Sequence, residues 1–202
     1  TEVDDGWKLA LEYFTKEIGE EGAYVKIHKM GELYVGQGKV EDAIAVYYHL
    51  IGQFPVSRRV TEYYQVIFDL VQKAPEWTET ERVVLEMMDY FKAESRWNIA
   101  NKDDQEAVDA AYNMLEEAIF FVANYYHVAG DKLEKKKQSK AAEPMYAKAA
   151  EYYKHYITRY PNSPRSYEVN FWYAEILYFN LADFKNAAEQ YKEVIKKDTK
   201  GK

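Results

Sequence analysis

Apolar residues recur along this chain at three- and four-residue intervals, and strand-type alternation is scarce, so the pattern predicts helices throughout. From Asp4 to Ile18, the residues Trp7, Leu11, Phe14 and Ile18 form one apolar face, and Gly19 and Gly22 end the segment. A helix over Tyr24 to Tyr34 stops at Gly36-Gln37-Gly38, one over Val40 to Phe54 ends at Pro55, and one over Arg58 to Lys73 is closed by Pro75. Thr78 and Glu81 read as a capping box, with Thr78 as N-cap, for a helix running through Val84, Met87, Met88 and Phe91. The stretch Asn98 to Asp103 reads as the best break in the chain, which sets expected portions of 1–97 and 98–202. Beyond it, helices are expected from Asp104 to about Gly130, about Ser139 to Tyr160, Arg165 to Leu181 and Phe184 to Asp198. Pro161-Asn162-Ser163-Pro164 is a turn between two of them. About nine helices with short connections predict an all-α fold of antiparallel pairs stacked as one continuous α-solenoid.

An internal repeat sharpens this expectation. Gly31, Tyr34, Gly38, Ala43, Tyr47 and Pro55 stand at the spacings of a two-helix repeat. Small Gly31 lets the first helix approach the second, Tyr34 fills the gap, and Pro55 stops the second helix. The later segment repeats the second half of the pattern with Tyr178, Asp183, Phe184, Ala187, Tyr191, Val194 and Asp198. Its first half departs, because Glu175 occupies the small-residue position while Tyr178 takes the inter-helix place. Between them, Arg58 to Phe91 is one divergent unit with a loop at Pro75–Trp77. Another has Ala123, Tyr126 and Gly130 matching the first helix and Ala149, Tyr153 and Pro161 the second. About 14 residues, Lys132 to Met145, are inserted there and are expected to lengthen both helices.

On these residues the chain resembles the tetratricopeptide repeat family over roughly Tyr24 to Asp198. Tyr156-Ile157-Thr158-Arg159-Tyr160-Pro161-Asn162-Ser163, followed by Tyr173-Ala174-Glu175 and Phe184-Lys185-Asn186-Ala187-Ala188, is similar to tetratricopeptide-type envelope proteins of Gram-negative bacteria. These are the barrel-assembly lipoprotein of the outer membrane and a periplasmic cell-division factor. The resemblance implies a non-catalytic scaffold for protein or peptide partners in the periplasm or at the outer membrane. A cytoplasmic adaptor is the alternative within the same fold.

Composition removes other classes. With no Cys among 202 residues, disulfides and thiolate metal sites are excluded. A formal net charge of −7 argues against a general nucleic-acid binder. No apolar run approaches the roughly 20 residues that span a bilayer, so direct membrane insertion is not expected. The 20 Tyr are the anomaly, and they suit thin layers between helix pairs, where the ring is buried and the hydroxyl reaches the edge. The chain begins Thr-Glu-Val, which reads as a piece of a longer protein.

The resemblance also places a partner groove on first-helix residues that lie between packing positions. In the first repeat these are His28, Lys29 and Glu32; in the third, Phe120, Phe121, Asn124 and His127; in the last, Trp172, Tyr173, Ile176 and Phe179. Aromatic anchors with an Asn able to bind a peptide backbone suit an interface. For Trp172 and Tyr173 the spacing accommodates groove and core alike, whereas Phe120 and Phe121 lean to core. The cluster Lys132, Lys135, Lys136, Lys137 and Lys140 reads as a solvated helix face. No metal or cofactor site and no catalytic constellation emerges, and the Glu151/His155 pair reads as a surface contact. An alternative reading is a helical ligand-binding or enzymatic domain with a pocket among Phe121, Tyr125, His127 and Tyr153. The apolar stripe of the final helix (Ala187, Ala188, Tyr191, Val194, Ile195) has no polar cap after it, which predicts further repeats or self-association.

Overall fold

A computed structural model describes residues 6–73 and 77–198, and every described element is helical. The helices are α1 (Gly6–Gly36), α2 (Val40–Gln53), α3 (Val60–Val71), α4 (Trp77–Tyr90), α5 (Arg96–Asn101), α6 (Gln105–Lys135), α7 (Ser139–Arg159), α8 (Ser166–Glu175) and α9 (Phe184–Lys197). The chain divides into two compact units between Met114 and Leu115, inside α6. Each unit is built of helix pairs joined by short turns.

In the first unit, α1 is broken at Gly19, whose φ of 78° only glycine adopts at little cost. The expected apolar face of its first part is only partly used, since Trp7 is buried while Ile18 is half exposed. The second part packs on α2 at Gly31, where a Cβ would lie 3.1 Å from Val46 and 3.2 Å from the Tyr47 ring. Buried Ala43, Val46, Tyr47 and Leu50 show the helical period that this contact demands. The chain then turns at Pro55, and three consecutive carbonyls of that turn accept side-chain donors. Tyr90 Oη reaches Pro55 O at 2.7 Å, Asn101 Nδ2 reaches Val56 O at 2.9 Å, and Trp97 Nε1 reaches Ser57 O at 2.8 Å.

Those bonds explain α5, which the sequence reading missed. The stretch read as a break is a short helix, N-capped by Ser95 Oγ accepting from Asn98 N and anchored by fully buried Trp97. Thr78 does not cap α4 either, because the helix already includes Trp77. Inside that first turn, Thr80 Oγ1 donates to Val71 O at 3.0 Å, and Glu79 pairs with Arg82. The expected start at Asp4 and stop at Pro75 lie outside the described residues.

The second unit stretches its first pair, as the insertion requires: α6 has 31 residues and α7 has 21, joined through Lys137 at φ 58°. Tyr156 and Ser163 hydroxyls both donate to Glu116, which ties the turn after α7 to α6. That turn repeats the one at Pro55. Ser57 Oγ accepts from Arg59 N and Ser163 Oγ from Arg165 N, each at 3.2 Å.

The last pair holds the chief correction. After α8 the chain continues as a π turn over residues 176–180, with Leu181 N donating to Ile176 O. Ala174, fully buried, is the small residue of this repeat rather than Glu175, and Leu177 is buried where Tyr178 was expected. Tyr178 is 45% exposed.

Two histidines tie this packing to pH. His49 lies 5.0 Å from the Trp7 ring, and His127 Nδ1 is 3.0 Å from Tyr153 Oη; burial holds both below the ordinary histidine value. For His127 the nearby Asp131 opposes that shift without cancelling it. The unfolded chain therefore takes up protons that the folded chain refuses, so stability is full above about pH 6.5 and is lost as pH falls below it. Melting temperatures recorded between pH 7 and 5 should decline, and the decline should be shallower in His49→Gln/His127→Gln. An identical slope in that variant would remove both histidines from the explanation.

Candidate functional site

In the first unit, α1 and α3 present side chains from one repeat and the next. His28, mostly buried, places Nε2 3.4 Å from Glu32 and 3.9 Å from Glu62. Its ring stands against Tyr47 and Tyr63, at 6.1 and 5.5 Å between centroids. Lys29 and Glu32 are exposed. Burial pushes the Tyr47 hydroxyl up to about 12, and the charges of Glu32 and Glu62 add to that. His28 and Glu32 were expected here; Glu62 was not, because it sits in a divergent unit whose register the sequence left loose.

In the second unit, one face of α6 lines an open cleft of about 500 Å³ through Phe121, Asn124, Tyr125, Val128, Ala129, Lys132 and Leu133. These residues follow the i, i+3, i+4, i+7 spacing of a single helix stripe. Asn124 is exposed, and Tyr125 and Val128 are each 40% exposed. Sequence reasoning named Phe121 and Asn124 and missed Val128, Ala129 and Leu133. Continuing the same spacing from Asn124 would have found them.

His127 lies on a different side of α6. It joins Tyr153 and, at 4.0 Å, Asp131, whose carboxylate accepts a 2.8 Å bond from Tyr146. Tyr153 is fully buried and burial raises its hydroxyl pKa, so it is no ready nucleophile. The alternative pocket of Phe121, Tyr125, His127 and Tyr153 therefore does not form, because helix geometry sends the first two and His127 to different faces. Among the described residues no group of His, Asp or Glu side chains is arranged to hold a metal ion.

Residues 27–57 match the family model of the tetratricopeptide repeat. That segment is similar to a tetratricopeptide repeat. No curated protein gives a significant match to the chain. The matched stretch contains the Gly31 contact, the Ala43 packing position and the stop at Pro55, so the repeat's helix pair is α1 with α2.

The remaining expected groove residues, those of the last helix pair, divide. Tyr173 and Ile176 are core, at 8% and 0% exposure, and neither is available at the surface. Trp172 is half-buried in an aromatic layer, 6.0 Å from Phe120 and 6.2 Å from Tyr153. Arg165 stacks on Phe120 at 4.2 Å and pairs with Glu117. Phe179 is exposed and touches Tyr178. Glu151 pairs with Lys148 at the surface, and Lys132, Lys135, Lys136, Lys137 and Lys140 are all exposed. Among the described residues, no helix is long and apolar enough to cross a membrane.

Proposed function

We propose that this chain is a non-catalytic scaffold that docks an amphipathic segment of another protein along α6. The tetratricopeptide repeat generally mediates protein–protein interaction, and the observation that carries the reading is the α6 cleft. It combines Phe121, Val128 and Leu133 as apolar contacts with the Asn124 amide, which can both donate to and accept from a peptide backbone. Such a surface needs little rearrangement to bind. The setting proposed is the periplasm or outer membrane of a Gram-negative bacterium, supported by the Tyr156–Ser163 phrase. Self-association is proposed through α9, whose Ile195 is 73% exposed.

The test begins with a photocrosslinker placed at Asn124 in the native cell, which identifies the partner. Asn124→Ala/Val128→Glu should then weaken the purified complex at least tenfold, the loss expected for hot-spot positions, while the melting temperature stays near the parent's. Unchanged affinity in that variant would remove α6 as the docking face. Fractionation of the native cell with the full-length protein tests the compartment.

A further inference from the structure

Residues 6–18 of α1 are held to the first unit by a bend and by one side chain. The bend is at Gly19, with φ 78° and ψ 169°, a backbone conformation open essentially to glycine alone. A Cβ at Gly19 would meet nothing within 4 Å, so packing does not brace the bend. The side chain is Trp7. Of residues 6–22 it alone is buried, whereas Leu9, Tyr13 and Ile18 are exposed. An isolated helix shorter than about 12–15 residues is marginal in water, so this segment depends on the Trp7 contact.

The Trp7 ring rests on His49 of α2, 5.0 Å between centroids, and Tyr24 stands 6.1 Å from the same imidazole. Trp7 Nε1 and His49 Nε2 are both buried without a hydrogen-bond partner. A protonated His49 must carry a hydrogen on Nε2, so the contact would then bury two unpaired donors, one of them charged. The charges around it do not offset that cost. From α1, the Lys8 ammonium lies 5.7 Å over the Trp7 ring, and Glu20 acts on the Tyr24 hydroxyl. One turn away on α2 stand Ala45, Val46, Gly52 and Gln53, all uncharged. Among the described residues no carboxylate pairs with His49, and burial holds it below the ordinary histidine value.

We propose that residues 6–18 are a strap, latched on α2 by Trp7, that swings open about Gly19 when His49 takes up a proton. Opening bares the Trp7 ring and the His49 side of α2 while the α1–α2 contact at Gly31 stays closed. The open strap leaves His49 with its ordinary value of about 6.5, whereas the closed strap lowers it. The latch is therefore at full strength above about pH 6.5 and weakens as pH falls below it. The device needs no partner at α6.

The test uses the whole chain, which has no native Cys, with nitroxides on exposed Lys16→Cys and Glu41→Cys. Double electron–electron resonance then reads the distance between strap and α2 from pH 7 to pH 5, and circular dichroism on the same samples checks that the chain remains folded. The ratio of long-distance to short-distance populations should rise at least about threefold over that range, and by at most about tenfold per pH unit, the limit for one proton. His49→Phe keeps a ring against Trp7 without a titrating group and should abolish the response; His49→Gln should abolish it too. Gly19→Ala meets no neighbour but strains the closed bend, so it should raise the open population at pH 7 and keep the pH response. A distance unchanged between pH 7 and 5, an equal response in both His49 variants, or opening seen only with loss of helicity would each overturn the proposal.

Discussion

Leu177→Ala is expected to lower the unfolding free energy by about 2–5 kcal/mol, and Tyr173→Ala by about 3–5 kcal/mol, the range for truncating buried residues of these sizes. Tyr178→Ala should cost less than about 1 kcal/mol, as surface changes do. The contrast follows from the π turn after α8. Gly31 precedes Ala43 by twelve positions, but Ala174 precedes Ala187 by thirteen. The added residue rotates the first helix of the last repeat by one place relative to the second, so Leu177 turns inward and Tyr178 outward, against Phe179 and Phe184. Urea titrations of the three variants decide the matter. A Tyr178→Ala midpoint lower than that of Leu177→Ala would restore the register without the offset.

Gly130→Leu is expected to destabilise by about 3 kcal/mol, at the upper end of the overpacking range, and Gly31→Leu by about 1–3 kcal/mol. A Cβ at Gly130 would stand 2.7 Å from the Tyr146 ring. That ring is buried, and its hydroxyl donates to Asp131, so it has no room to swing aside. At Gly31 the nearest atoms are the Val46 methyl and the Tyr47 ring at 3.1 and 3.2 Å, which need yield only a few tenths of an ångström to admit one methyl. Gly31→Ala should therefore be close to neutral, since helix propensity gains up to about 1 kcal/mol. Gly130→Ala should lose stability despite the same gain. If Gly130→Leu unfolds at the parent's urea concentration, the α6–α7 contact described here is wrong.

Features set by periods within a helix were readable here, and features set by contacts between helices were not. The α1–α2 repeat was legible because its markers, Gly31, Tyr34, Ala43 and Pro55, act through local sterics and helix period, which sequence spacing reports directly. The lengthened α6 and α7 were legible for the same reason. On α6, Phe121 and Asn124 were named from the repeat's register, and the i, i+3, i+4 rule extends them to the rest of the cleft.

Three features depended on the tertiary structure. Short α5 exists because Trp97 and Asn101 find carbonyls some 40 residues away in the turn after Pro55, and no local propensity announces a partner at that distance. Glu62 joins His28 only once α3 is laid beside α1. The burial of Tyr173 and Ile176 follows from the π turn, whose one-residue offset leaves the apolar pattern nearly unchanged while moving side chains from one face to another. Sequence spacing alone established the helices other than α5, the first repeat's register and the family likeness, because those rest on periods within a helix. Which side chains meet across helices was settled by packing, because a rotation of one residue, roughly 100°, exchanges core for surface without altering any local preference.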